Sequence, residues 1–178
     1  VIAEVVGRER PEEVVLIGCH LDSWDLGTGA VDDGAGCGIV VGAAHLILSL
    51  AEAPRRTIRV VLYGAEEVGV LGGRAYAERY ADEMDQHILA AESDFGADRI
   101  WRFETRFGEG ALPYARAIQQ MLEPLGISPG PNSAYGGPDI SMLPGLGVPV
   151  VSPRQNGWDY FDLHHTPDDT FDKIERDK

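Results

Sequence analysis

Cationic side chains are in short supply: 15 Lys and Arg stand against 29 Asp and Glu, a formal net charge of −14 at pH 7. Nucleic acid and anionic membrane surfaces are therefore not expected as partners, because both would be repelled. Long apolar runs are lacking too. No stretch approaches the roughly 20 apolar residues of a membrane span, so none is expected. Cysteine occurs only as Cys19 and Cys37. Two thiols do not define a redox compartment, and both sit in apolar surroundings where core thiols are expected rather than a bridge. The glycines around Asp32 and Asp33 show neither the G-K-[ST] ending nor the G-x-G-x-x-G spacing, which removes a phosphate loop.

What remains is an ordinary globular composition, 44% hydrophobic and 25% charged over 178 residues, enough for one domain with a substantial core. Residues 1–178 are expected to form a single catalytic domain. Val1 opens straight into a strand-like run and Lys178 stops in a charged segment, so the domain is expected to be truncated at both ends. Residues 2–6 and 13–18 read as two strands joined by a turn, and 59–63, 88–91 and 148–152 as further strands. Residues 35–52 read as a largely buried helix stopped by Pro54, and 70–84 and 111–125 as further helices. The Gly- and Pro-rich stretch 126–147 reads as one long functional loop. Apolar strands alternating with helices predict an α/β domain in three layers. Its central sheet is mostly parallel, with an antiparallel edge from the opening hairpin and helices on both faces.

Ligands of such sheets bind beyond the carboxyl ends of the strands. His20, Glu66, Glu67 and Asp94 all fall just after predicted strand ends. His20 and Asp22 form an H-x-D pair, in which Asp22 can accept from the imidazole and fix its tautomer. Asp32 and Asp33 precede glycines that allow close backbone approach. Glu66 and Glu67 are adjacent carboxylates, and His164-His165-Thr166 is a second histidine source. Taken singly, each has an ordinary reading as a surface pair, a helix cap or a turn. Together they supply two histidines, three carboxylates and a spare glutamate. Imidazole and carboxylate donors suit Zn²⁺ first, and Co²⁺ or Mn²⁺ after it. That is a donor set for two metals, which hydrolyses amides or phosphate esters. Scarce Arg and Lys around these segments disfavour a phosphate substrate, although Arg154 lies nearby.

The runs GCHLDSWDLGTGAVDDGAG, AESDFG and YFDLHHTPDDT resemble the co-catalytic zinc aminopeptidase family, of bacterial leucyl aminopeptidase, aminopeptidase Y and carboxypeptidase Q type. The likeness extends from Val1 to about Ile174. It implies two Zn²⁺ per chain, with Asp32 bridging, His20 and Asp94 completing one site, and Glu67 and His165 the other. A ligand histidine followed by Thr favours His165 over His164. Glu66 would be the general base and Asp22 the support for His20. A cis peptide after the bridging aspartate would fall at Asp32-Asp33. Tyr135 is a candidate oxyanion donor, and Asp139 a candidate in the substrate-binding surroundings. The activity implied is zinc-dependent exopeptidase hydrolysis at or near a peptide N-terminus or in dipeptides, in a secreted or periplasmic protein. Single-zinc glutaminyl cyclase-like acyl transfer and a non-catalytic binding domain are the alternatives on the same scaffold.

Overall fold

The computed structural model describes residues 1–175 and 177. In chain order it contains β1 (Ile2–Val5), β2 (Arg10–His20), α1 (Ala35–Leu48), β3 (Arg56–Tyr63), α2 (Leu71–Arg79), β4 (His87–Glu92), β5 (Ile100–Arg106), α3 (Leu112–Leu122), β6 (Ser128–Pro129), β7 (Val150–Gln155) and α4 (Tyr160–Leu163). The sheet order is β1-β3-β2-β4-β7-β5-β6. Its centre, β3-β2-β4-β7, is parallel. All four carboxyl ends therefore point to one edge of the sheet.

Alternation along β2 divides the interior. Val14 and Leu16 enter a core with Tyr76 of α2, Met84, and Ala134, Ile140 and Leu143 from the segment between β6 and β7. Ile17 and Cys19 point the other way, against Val40 and Ala44 of α1. Helices thus cover both faces, as the three-layer expectation requires.

Four local expectations are corrected. β1 and β2 form no hairpin: β2 is flanked by β3 and β4 and has no free edge, so β1 pairs antiparallel with β3, Ile2 opposite Val61. The second antiparallel strand is β5 on β7, inside a region that carried no strand expectation. Cys19 and Cys37 form a disulfide with Cα atoms 5.2 Å apart. Alternation along β2 turns Cys19 to the α1 face, and the docking of the first turn of α1 over β2 brings Cys37 to it. Finally, α1 buries only Gly36, Val40 and Ala44, while Ile39, Val41, Leu46 and Leu48 are exposed. Residues Ala30–Leu48 are also long and apolar enough to cross a membrane by length and composition, contrary to the expectation from the sequence. Here this segment lies on the sheet, because one narrow stripe is all that an outer-layer helix needs to bury.

Candidate active site

The carboxyl end of β2 delivers His20, whose side chain is fully buried. Its Nδ1–H donates to the main-chain carbonyl of Asp22 (2.9 Å), which turns Nε2 toward Asp32 Oδ1 (3.2 Å) and Asp94 Oδ1 (3.5 Å). Asp32 follows a loop held from across the chain. The Asp169 carboxylate accepts from Val31 N (2.6 Å) and Asp32 N (3.1 Å). The Asp32-Asp33 peptide is cis. Asp33 points inward and accepts from His20 N and Gly36 N. A Cβ at Gly36 would run into Ser93 O and Asp33 Oδ1, so only glycine lets α1 start this close to the loop after β4.

The second oxygen of Asp32 faces another group. Oδ2 lies 3.5 Å from Nε2 of His165 and 3.5 Å from Nε2 of His164. His165 Nε2 is also 2.7 Å from Glu67 Oε2, a contact that singles it out from its neighbour. Trp24 stacks on the His165 ring at 4.7 Å and fixes its plane. The other oxygen of Glu67, Oε1, is buried with no hydrogen-bond partner among the described residues. A buried carboxylate oxygen left bare is costly unless a cation meets it. His20, Asp32 and Asp94 offer one cluster of potential ligand atoms, and Asp32, His164 and His165 another, each within 4.8 Å. Imidazole and carboxylate donors of this kind fit zinc.

Asp22 differs from its expected role. Its carboxylate accepts from Glu66 N (3.0 Å) and Glu67 N (3.1 Å), and stands 3.8 Å from the imidazole. It therefore sets the turn that presents both glutamates, while its main chain orients His20. Glu66 lines a cavity of about 500 Å³ together with Asp32, Glu67, Asp94, Tyr135 and His165. Tyr135 is exposed at the cavity wall. Asp139 is not on that wall. It is buried, accepts from Gly73 N and gives its own N–H to Glu92, bracing the loop beneath. It thus lies behind the cavity wall rather than on it. Asp169 and His164 carried no role in the sequence reading. The acidic pair after Thr166 was the available signal for Asp169.

Without metal these acids compete for protons. Burial works against a charged His20, yet hydrogen bonds to Asp32 and Asp94 outweigh it and hold the imidazolium up to about 12. Burial, then the Asp94 charge, pushes Asp33 up to about 9. Burial raises Glu66 to about 7, against the pull of His20. The folded chain thus retains protons that the unfolded chain releases, Asp33 from an ordinary value of 3.8 and His20 from 6.5. The stability they contribute is complete below those ordinary values and is lost as pH rises through the folded ones. The chelated protein is expected to melt at steadily lower temperature from pH 6 to pH 9. The zinc-loaded protein should change far less, because metal replaces the protons. Thermal melts across that range check the sign, and a melting temperature rising with pH in chelator would refute it.

The sequence pattern of Peptidase family M28 matches residues 1–178. Carboxypeptidase Q of Rattus norvegicus is 38% identical over 169 residues, which are 95% of this chain and 36% of that protein. The crystal structure of a peptidase M28 precursor from Shewanella amazonensis SB2B superposes with a TM-score of 0.94 at 58% identity, over 98% of this chain and 39% of that one. BSAP, a zinc aminopeptidase from Bacillus subtilis, shares the fold with a TM-score of 0.72 at 18% identity, over 99% of this chain and 45% of that one. The chain thus spans 36% of the length of that carboxypeptidase Q and 39% of that precursor. A parallel sheet edge carrying two histidines, three carboxylates and a paired glutamate agrees with these likenesses, and the chain belongs to Peptidase family M28.

Proposed function

We propose that this chain is the catalytic domain of a zinc-dependent exopeptidase that hydrolyses a peptide bond at or near the N-terminus of peptides or in dipeptides. The observation that carries this reading is the division of Asp32, one oxygen toward His20 and Asp94 and the other toward His165, with Glu67 beside that histidine. His20 and Asp94 would hold one zinc, Glu67 and His165 the other, and Asp32 both. When bound, zinc polarises a carbonyl and brings the pKa of water from 15.7 to roughly 7.

The rest is done by the chain itself. Glu66 stands in the cavity wall with no role in holding metal, and its carboxylate takes the proton of the attacking water. The same carboxylate returns that proton to the departing amine nitrogen. Asp22 keeps Glu66 and Glu67 in place through their amides, and its carbonyl keeps His20 Nε2 turned inward. Tyr135 lines the cavity and would donate its hydroxyl to the substrate oxygen. The Cys19–Cys37 disulfide supports a secreted or periplasmic setting, where such bonds persist.

Metal analysis and a chelator titration test the reading together. Two zinc ions per chain are expected, with hydrolysis of a dipeptide and aminoacyl-amide panel abolished by chelator and restored by zinc. One zinc with cyclisation of amino-terminal glutamine would favour the acyl-transfer alternative, and none a binding module.

A further inference from the structure

Among the described residues lining the cavity, five are Asp or Glu and Arg154 is the sole Lys or Arg. Arg154 lies on β7, two residues after Ser152 and on the same face, and both line this cavity. In the antiparallel ladder it stands directly opposite Arg102 of β5. Like charges placed opposite each other are unfavourable. Here the buried Glu104 forms an ion pair with each, 2.5 Å from Arg102 and 3.3 Å from Arg154 Nε. One arginine already neutralises one carboxylate, so the second leaves a surplus positive charge. Glu104 meets Arg154 at Nε, and no hydrogen bond from its two terminal nitrogens is found among the described residues. Its side chain is 40% exposed.

Arg154 also stands where two spaces meet. Beyond the metal-ligand cavity lies a second hollow, also about 500 Å³, lined by Phe95, Trp101, Arg102, Gln155 and Trp158 with Arg154 between. The Arg102 guanidinium lies 4.5 Å from the Trp101 ring centroid, and Phe95 is stacked on Tyr160 at 4.6 Å. A substrate reaching from the carboxylate-rich cavity into this hollow passes a held guanidinium with free donors. A guanidinium offers paired N–H groups that match a carboxylate, whereas a neutral amide can use at most one oxygen.

We propose that Arg154 anchors the free C-terminal carboxylate of a short peptide, and so directs this site toward dipeptides and other short peptides with an unblocked C-terminus. The inference rests on the exopeptidase reading for the direction of the substrate. Arg154 is a specificity-determining residue here, with no part in the proton-transfer steps assigned to Glu66.

Binding can be read without turnover. In the zinc-loaded protein carrying Glu66→Gln, calorimetry with a dipeptide and with the matching dipeptide amide compares one charge. The free acid is expected to bind about 10–100-fold tighter, as charge-assisted pairing implies. Adding Arg154→Met should erase that difference while leaving amide binding within threefold, and Arg154→Lys should restore part of it. Equal binding of acid and amide at the start, or an equal loss of both on Arg154→Met, overturns the anchor. Turnover by the protein with Glu66 intact separates the two readings. Acid-selective binding with no hydrolysis of either compound keeps the anchor and refutes the exopeptidase.

Discussion

Replacing Glu66 by glutamine is expected to lower kcat by about 10²–10⁴-fold, the usual span for a lost general base, with zinc content unchanged. Glutamine keeps the length and shape of the side chain but cannot accept the proton of water. The turn that carries it is secured through main-chain amides: Asp22 holds Glu66 N and Glu67 N, and neither bond involves the Glu66 carboxylate. Glu67, bonded to His165, keeps its own place. Burial, against the pull of His20 and with the neighbouring Asp94, Asp139 and Glu67 charges, raises the Glu66 carboxyl to about 7 in the metal-free site, and nearby dications would favour its ionised form, which is the form a base needs. KM should move little, since the residue contributes no donor to a bound peptide. Steady-state kinetics with metal analysis on the same sample decides the matter. Full activity in this variant would remove the proposed base, and lost zinc would reassign Glu66 as a ligand.

Strand ends carried most of what could be read from the sequence. The apolar runs before His20, Gly64 and Glu92 are interior strands parallel to one another, and strands covered on both faces announce themselves by continuous hydrophobicity. Once three such strands are parallel, their carboxyl ends must share an edge, so His20, Glu66, Glu67 and Asp94 had to be neighbours. Partners that reach across the chain were much less visible. Asp169 secures Val31 and Asp32 from 138 and 137 residues away, and no local pattern encodes such a bond. The Cys19–Cys37 disulfide likewise depends on where α1 docks. β5 lacks the continuous apolar run of the interior strands: Ile100–Arg106 carries Arg102, Glu104 and Arg106 on alternate positions, the pattern of a strand that pairs antiparallel toward the side of the sheet. Asp22 was correctly placed near His20, yet its carboxylate serves the glutamates, since the sharp turn after β2 carries it toward the end of β3.

Substituting Asp32 by alanine is expected to have the largest effect on metal. Removing a group that merely supports a ligand costs about 10–100-fold in affinity. Asp32 faces both donor sets itself, one through each oxygen. A loss at the upper end in each set compounds to on the order of 10⁴-fold, enough to bring zinc from two per chain toward none at micromolar free metal. Hydrolysis should fall to the uncatalysed background with it. His165→Ala supplies the contrast: it strips the Glu67 side while His20, Asp32 and Asp94 remain together, so about one zinc should stay. The loop around residue 32 keeps its Asp169 bonds in both variants, because those bonds use main-chain N–H groups. Circular dichroism can confirm that the fold persists. If Asp32→Ala retained two zincs, the shared-carboxylate arrangement would be refuted. If it lost no more than His165→Ala, Asp32 would belong to a single site, and the chemistry would have to run on one metal.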